Sequence, residues 1–164
     1  LGMSALALTD HGNLFGTVSF VKQAEKHGIK PIIGCEGYLV TDHKNDEKPG
    51  RENHKSYHLG LLAKNFEGYQ NLSKVVSDAH IEGFYYRPRT DLETLAEHAK
   101  GLIGFTGCMQ GWIPQMILHG KDGEAENAMG QMIDIFGKEN YFVELHNHGI
   151  EEQVSLVPER LKLA

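Results

Sequence analysis

Four side chains of metal-ligating type stand at the ends of apolar, strand-like runs. They are His11 in Leu8-Thr9-Asp10-His11-Gly12-Asn13, Glu36 in Gly34-Cys35-Glu36, His58 opening His58-Leu59-Gly60-Leu61-Leu62, and Cys108 after Leu102-Ile103-Gly104-Phe105-Thr106-Gly107. Imidazole, carboxylate and thiolate together suit zinc or a similar divalent ion better than magnesium, which prefers oxygen alone. A parallel α/β fold collects the C-terminal ends of its strands on one face, so residues far apart in sequence can meet there. The pattern points to a metal-dependent hydrolase site with part of its ligand set missing.

Each residue also has a reading without chemistry. Asp10 beside His11 supplies a group that orients a ligand or takes a proton, or it caps the next helix while His11 is an ordinary loop histidine. A carboxylate at the end of a buried run such as Ile32-Ile33-Gly34-Cys35 is costly unless it is paired or bound to metal, so Glu36 is a ligand, a bridge between two cations, or a salt-bridged strand end. Cys35 alternates to the opposite face and reads as a small core residue. His58 begins a strand rather than ending one, which counts against it taken alone. Cys108 sits in the turn Gly107-Cys108-Met109-Gln110-Gly111 ahead of a helical segment, a place that favours a thiolate but also suits a packed thiol. His146 and His148 flank Asn147 and, in an extended chain, would point the same way as a further ligand pair. Phe84-Tyr85-Tyr86-Arg87-Pro88-Arg89 is an aromatic-basic cluster. It could stack bases and hold phosphate through Arg87 and Arg89, or it packs a loop.

These residues need a scaffold, and the hydrophobic pattern supplies one. Ser4 to Thr9 reads as a strand buried on both faces. Leu14, Val18, Val21 and Ala24 predict a helix stopped by Gly28. Lys30-Pro31-Ile32-Ile33 opens the next strand, and Thr41 to Tyr57 reads as an exposed loop. His58 to Ala63 is a strand, followed by a helix capped by Asn65 with Tyr69, Leu72, Val76 and Ala79 inward. Thr90-Asp91-Leu92-Glu93 has capping-box spacing and opens a helix that should stop at Gly101. Leu102 to Thr106 is a strand. Glu124 to Phe136 is a helix with Ala125, Ala128, Met129, Met132 and Phe136 inward, and Tyr141 to Leu145 is a strand. Alternating β and α signals predict an α/β fold with a parallel sheet.

The 164 residues suffice for one domain with a real core. A net charge of −6 gives no sign of a stand-alone nucleic-acid binder, although a basic face is compatible with it. No run is apolar enough to span a membrane, and two cysteines imply no disulfide framework, so a reducing cytoplasm is the expected setting. The chain opens almost at once on Ala5-Leu6-Ala7-Leu8 and closes on the helical-looking Arg160-Leu161-Lys162-Leu163-Ala164. A complete (β/α) barrel takes about 250 residues. The expectation is therefore an internal part, residues 1–164, of one larger domain.

Leu8 to Gly16, Lys30 to Glu36, His58 with Leu61 to Asn65, Gly68-Tyr69, and Phe84 to Arg89 together resemble the PHP (polymerase and histidinol phosphatase) domain, over nearly the whole chain and in order. Thr-Asp-His-Gly and Gly-Cys-Glu mark the superfamily. The Phe84 to Arg89 cluster and Phe142-Val143-Glu144-Leu145 followed by His148-Gly149 are similar to the branch carried by bacterial replicative DNA polymerases. The resemblance implies a distorted (β/α)7 barrel, here truncated at both ends, with a multinuclear divalent-metal cluster, zinc or manganese, at its mouth. His11, Glu36, His58 and Cys108 match the ligands, and Asp10 and Glu36 are the candidate catalytic carboxylates. Asp10 matches the supporting residue beside the ligand, and the His146 to His148 stretch matches a segment the family does not usually use for metal. The leading His-x-His and closing Asp-x-His motifs would lie before Leu1 and after Ala164. The implied function is a metal-dependent phosphodiesterase, a 3′–5′ proofreading exonuclease, in a polymerase that meets DNA and other replicase subunits, including a proofreading subunit, with no membrane partner. Two alternatives stay open: a structural module that binds the proofreading subunit, and a free-standing phosphatase for a small phosphate ester.

Overall fold

The computed structural model describes residues 2–46 and 56–164. Along the chain run β1 (Ala5–His11), α1 (Thr17–Lys26), β2 (Lys30–Leu39), β3 (Tyr57–Ala63), α2 (Phe66–Ile81), β4 (Phe84–Tyr85), β5 (Arg87–Thr90), α3 (Leu92–His98), β6 (Leu102–Phe105), α4 (Trp112–Leu118), α5 (Asp122–Phe136), β7 (Tyr141–Phe142) and α6 (Glu151–Leu163). The strands form one sheet in the order β4-β5-β2-β3-β6-β7. β1 pairs with the first part of β2, on the edge that β5 takes further along.

The sheet is mixed, not parallel as the alternation predicts. β1, β2 and β5 run parallel, as do β6 and β7, but β3 is antiparallel to both β2 and β6. The reversal carries the start of β3 to the end of the sheet where β1 and β2 finish. His58 opens its strand and still arrives beside His11 and Glu36 for this reason.

One face of the sheet is covered by helices. Cys35, Leu39, Leu59 and Leu61 alternate onto it and share a buried cluster with Leu72 and Val75 of α2, Leu95 of α3 and Met132 of α5. All five residues expected on the inner side of α5 are buried. Truncating one of the largest, Met132→Ala, would cost about 2–5 kcal/mol. Glu36, Tyr38 and His58 fall on the other face, because Tyr38 pairs directly with His58 and Glu36 with Gly60.

Several local expectations are corrected. β1 is largely exposed rather than buried on both faces, because among the described residues β2 is its one strand partner. Val18 is exposed; α1 buries Ala24, as expected, together with Thr17. β2 continues to Leu39, so Glu36 lies within a strand and not at its end. β7 stops at Phe142. The cap of α3 is Asp91, which accepts from the Thr94 backbone N–H, not Thr90. Of the expected loop Thr41 to Tyr57, Tyr57 belongs to β3 and residues 47–55 lie outside the described residues. In its described part Lys44 is half-buried.

Candidate metal centre

Three donor atoms, one each from Glu36, His58 and Cys108, lie within 4.8 Å of one another. Glu36 Oε1 is 3.0 Å from His58 Nδ1, and Cys108 Sγ is 3.5 Å from the same nitrogen. His11 joins from the side: its Nδ1 is 3.3 Å from Glu36 Oε1, and its ring meets His58 edge-on at 6.3 Å. The four residues expected to form the cluster therefore stand together, with Glu36 touching both histidines.

The backbone explains how they are held. His11 pairs with Glu36 across the β1–β2 ladder, which aims both side chains to one face. Gly12 then turns away with φ +66, and its N–H donates to the Glu36 carbonyl at 2.8 Å. A Cβ there would come within 2.8 Å of Pro88 and 2.9 Å of Tyr38, so the motif takes glycine for space as well as conformation. His80, far away in sequence, lies 2.8 Å from the Gly12 carbonyl through Nε2. On the other side, Gly107 has φ +77, and a Cβ there would meet the His58 carbonyl at 2.7 Å. The His58 N–H donates to the Gln110 carbonyl, tying β3 to the cysteine turn. The Gln110 N–H donates to Cys108 Sγ at 3.4 Å.

The electrostatics suit a cation. Glu36 Oε1 is buried and makes no hydrogen bond among the described residues, although two imidazole nitrogens lie close. An orphaned buried carboxylate oxygen is expensive, and a metal ion held with nitrogen and sulfur donors would satisfy it. Burial first, then the charges of Arg87 and His11, outweigh Glu36 and push the His58 pKa down. That direction favours the neutral ring, the form that ligates metal. Cys35, next to Glu36, is on the packed face, and burial pushes its thiol up to about 11.

Other expected site residues fall elsewhere. Asp10 pairs with Cys35, so it faces away from His11 and Glu36, and it accepts from the Gly16 N–H at 3.1 Å. It staples the turn before α1 and does not line the cluster, which corrects its place among the catalytic candidates. Arg89 is buried and spends its guanidinium on the carbonyls of Gly83, Asp46 and Lys44, stacked over Tyr85. It braces the loop after β2 instead of offering a phosphate contact. Arg87 is exposed, with its guanidinium 4.8 Å from the Tyr38 ring centre. His146 pairs with Glu144 at 2.7 Å and meets the His148 ring edge-on at 5.7 Å, with no third donor converging among the described residues.

Three supporting residues escape a sequence reading. Tyr38 packs edge-on against His58 at 5.6 Å; it is two positions beyond Glu36 and would be found once β2 is extended through it. His80 and Arg160 carry no local signal. Arg160 of α6 is buried and donates to the carbonyls of Glu144 and, at 3.2 Å, Cys108, so it anchors the cysteine turn from the far end of the chain.

The chain belongs to the PHP domain family, whose match spans residues 1–148. Among similar proteins, one named DNA polymerase III subunit alpha from Treponema pallidum is 45% identical over all of this chain and 14% of its own length. Its namesake from Thermus aquaticus is 50% identical over 91% of this chain and 12% of its own length. That from Helicobacter pylori is 37% identical over 100% of this chain and 14% of its own length. The chain thus spans about a seventh of the relatives it matches.

Proposed function

We propose that this chain is the PHP region of a DNA polymerase III alpha subunit and that its cluster, loaded with divalent metal, hydrolyses phosphodiester bonds at a DNA 3′ end. The observation that carries the chemistry is the convergence of Glu36, His58 and Cys108, with His11 alongside, around a carboxylate oxygen that has no hydrogen-bond partner. His11, Glu36, His58 and Cys108 would hold zinc or manganese, and Glu36, touching both histidines, is placed to serve two ions. Bound metal would supply a Lewis acid for the phosphoryl oxygens and activate the attacking water. The chain's own residues orient the site: Gly12 and His80 fix the His11 turn, and Gly107, Gln110 and Arg160 fix the cysteine turn. The ligands lie on the face opposite the helix-covered core. That placement supports a barrel in the complete domain, with this face inward. Relatives several times longer than a barrel favour the polymerase branch over a free-standing phosphatase. DNA and other replicase subunits are the partners this reading implies, in the cytoplasm; no helix among the described residues is long and apolar enough to cross a membrane.

The test uses the purified full-length protein and a primer labelled at its 3′ end. Release of the terminal nucleotide should require zinc or manganese, stop with chelator and return on metal addition. Release that persists at full rate after complete metal removal would sink the reading, and no release under any metal would favour a purely structural module.

A further inference from the structure

The β4–β5 hairpin lies directly against the cluster, and no ligand role absorbs its exposed side chains. Pro88 packs on the Gly12 turn that carries His11, and Phe84 stacks on His80, which contacts the same turn. At the tip, Tyr86 has φ +59, a left-handed conformation that a bulky residue rarely adopts without a reason. Its ring is 74% exposed, and Phe84 is 55% exposed. Beside them, the Arg87 guanidinium lies 4.8 Å from the Tyr38 ring centre, and Tyr38 packs on His58. Two ring contacts thus join this cation to a residue of the cluster. Arg87 makes no ion pair with any described residue, so its charge remains available to an anion, while its neighbour Arg89 is spent on backbone carbonyls.

From this placement we propose a nucleotide subsite on the hairpin: Arg87 takes the phosphate next to the scissile one, and Tyr86 and Phe84 stack bases of a single strand entering the cluster. The subsite rests on the phosphodiesterase reading above and adds the residues that would hold the strand next to the scissile bond. An exposed aromatic pair beside an uncommitted guanidinium suits any base sequence, because every base offers a π face and every linkage a charge. The stacked arginine also presents a planar donor fork to a phosphate, which a lysine could not reproduce.

Two measurements on the full-length protein test the subsite. The first compares Arg87→Gln with wild type on a single-stranded oligonucleotide and on bis(p-nitrophenyl) phosphate, both with manganese. The oligonucleotide KM should rise roughly tenfold, a much larger loss than on the small diester. Equal losses on both substrates would overturn the subsite, since Arg87 would then act through the cluster. The second places 4-thiothymidine next to the 3′ end, irradiates, and maps the adduct by mass spectrometry. The adduct should fall within the tryptic peptides that contain Phe84 and Tyr86 and should weaken in Arg87→Gln. Adducts confined to other parts of the protein would overturn the proposal. Adducts on the hairpin without hydrolysis of either substrate would support the subsite and count against the catalytic reading alone.

Discussion

At the clamp that holds the loop after β2, charged groups face one another. Lys44 Nζ lies 2.8 Å from Asp78 and 2.6 Å from Thr94 Oγ1, and Asp91 accepts the backbone N–H groups of Lys44 and Thr94 at 3.1 and 3.0 Å. At the candidate metal centre, similar groups come equally close, yet the buried Glu36 oxygen is hydrogen-bonded to neither imidazole beside it. The clamp is complete as it stands. At the cluster three donor atoms, from Glu36, His58 and Cys108, lie within 4.8 Å of one another. Proximity alone would class both as salt-bridge networks; the Glu36 oxygen without a hydrogen-bond partner among the described residues separates the two.

The largest effect should come from breaking the cluster. Glu36→Ala in the full-length protein should lower metal content, read by elemental analysis, and reduce nucleotide release by more than about 100-fold, the upper range for removing even a supporting group. On the proposed reading polymerisation should persist, because the family match covers a PHP domain alone. Wild-type release with normal metal content would end the case for Glu36 as a ligand.

The clamp should respond in stability and not in metal. Asp91→Ala removes a helix cap and a partner of Lys44, costing about 1–2 kcal/mol and lowering Tm by roughly 2–8 °C, with bound metal unchanged. Its pH dependence has a definite sign. Burial works against the Asp91 charge, but hydrogen bonds from Thr94 and Lys44 outweigh it and hold the carboxyl below its usual range. A depressed folded pKa gives stability that is complete above the unfolded value of about 3.9 and is lost as pH falls through the folded value. Urea denaturation from pH 6 to pH 2 should therefore show a shallower acid decline in Asp91→Ala than in wild type. Lys44 gives the mirror image. Burial opposes its charge, yet Asp78 and Asp91 raise its pKa, so its contribution holds below about 10.4 and fades as pH rises through the folded value. An unchanged acid limb in Asp91→Ala would show that the carboxylate is not the titrating element.

How much of this was readable in the sequence follows from which interactions are local. The inward face of α5 and the Asn65 cap were legible because helical spacing and capping act over a few residues. The four clustered residues were legible as types at strand-like runs, but their meeting depends on β3 running backwards, and no local pattern around His58 encodes strand direction. Asp10 was misplaced because adjacent strand residues face opposite ways, so a neighbour of a ligand is the residue least able to join it. Arg87 and Arg89 share a face by spacing and differ in fate because the loop after β2 folds over one of them. That contact spans more than forty residues and leaves no mark near either arginine.

The smallest effect sharpens the comparison most directly. Thr90 Oγ1 is buried and, like Glu36 Oε1, has no hydrogen-bond partner among the described residues. If an orphaned oxygen by itself marked a ligand site, Thr90 would qualify as well as Glu36. Its hydroxyl is uncharged, so it should be a local cost of packing and nothing more. Thr90→Val keeps the β-branched shape that strand β5 requires and removes the unpaired hydroxyl. The variant should be neutral or more stable by up to about 1 kcal/mol, a Tm rise of roughly 2–4 °C at most, with metal content and nucleotide release unchanged. A drop in metal content in Thr90→Val would extend the site to β5. A clear loss of stability would mean that the hydroxyl is bonded in solution, and the contrast would then rest on Glu36 and the donors that surround it.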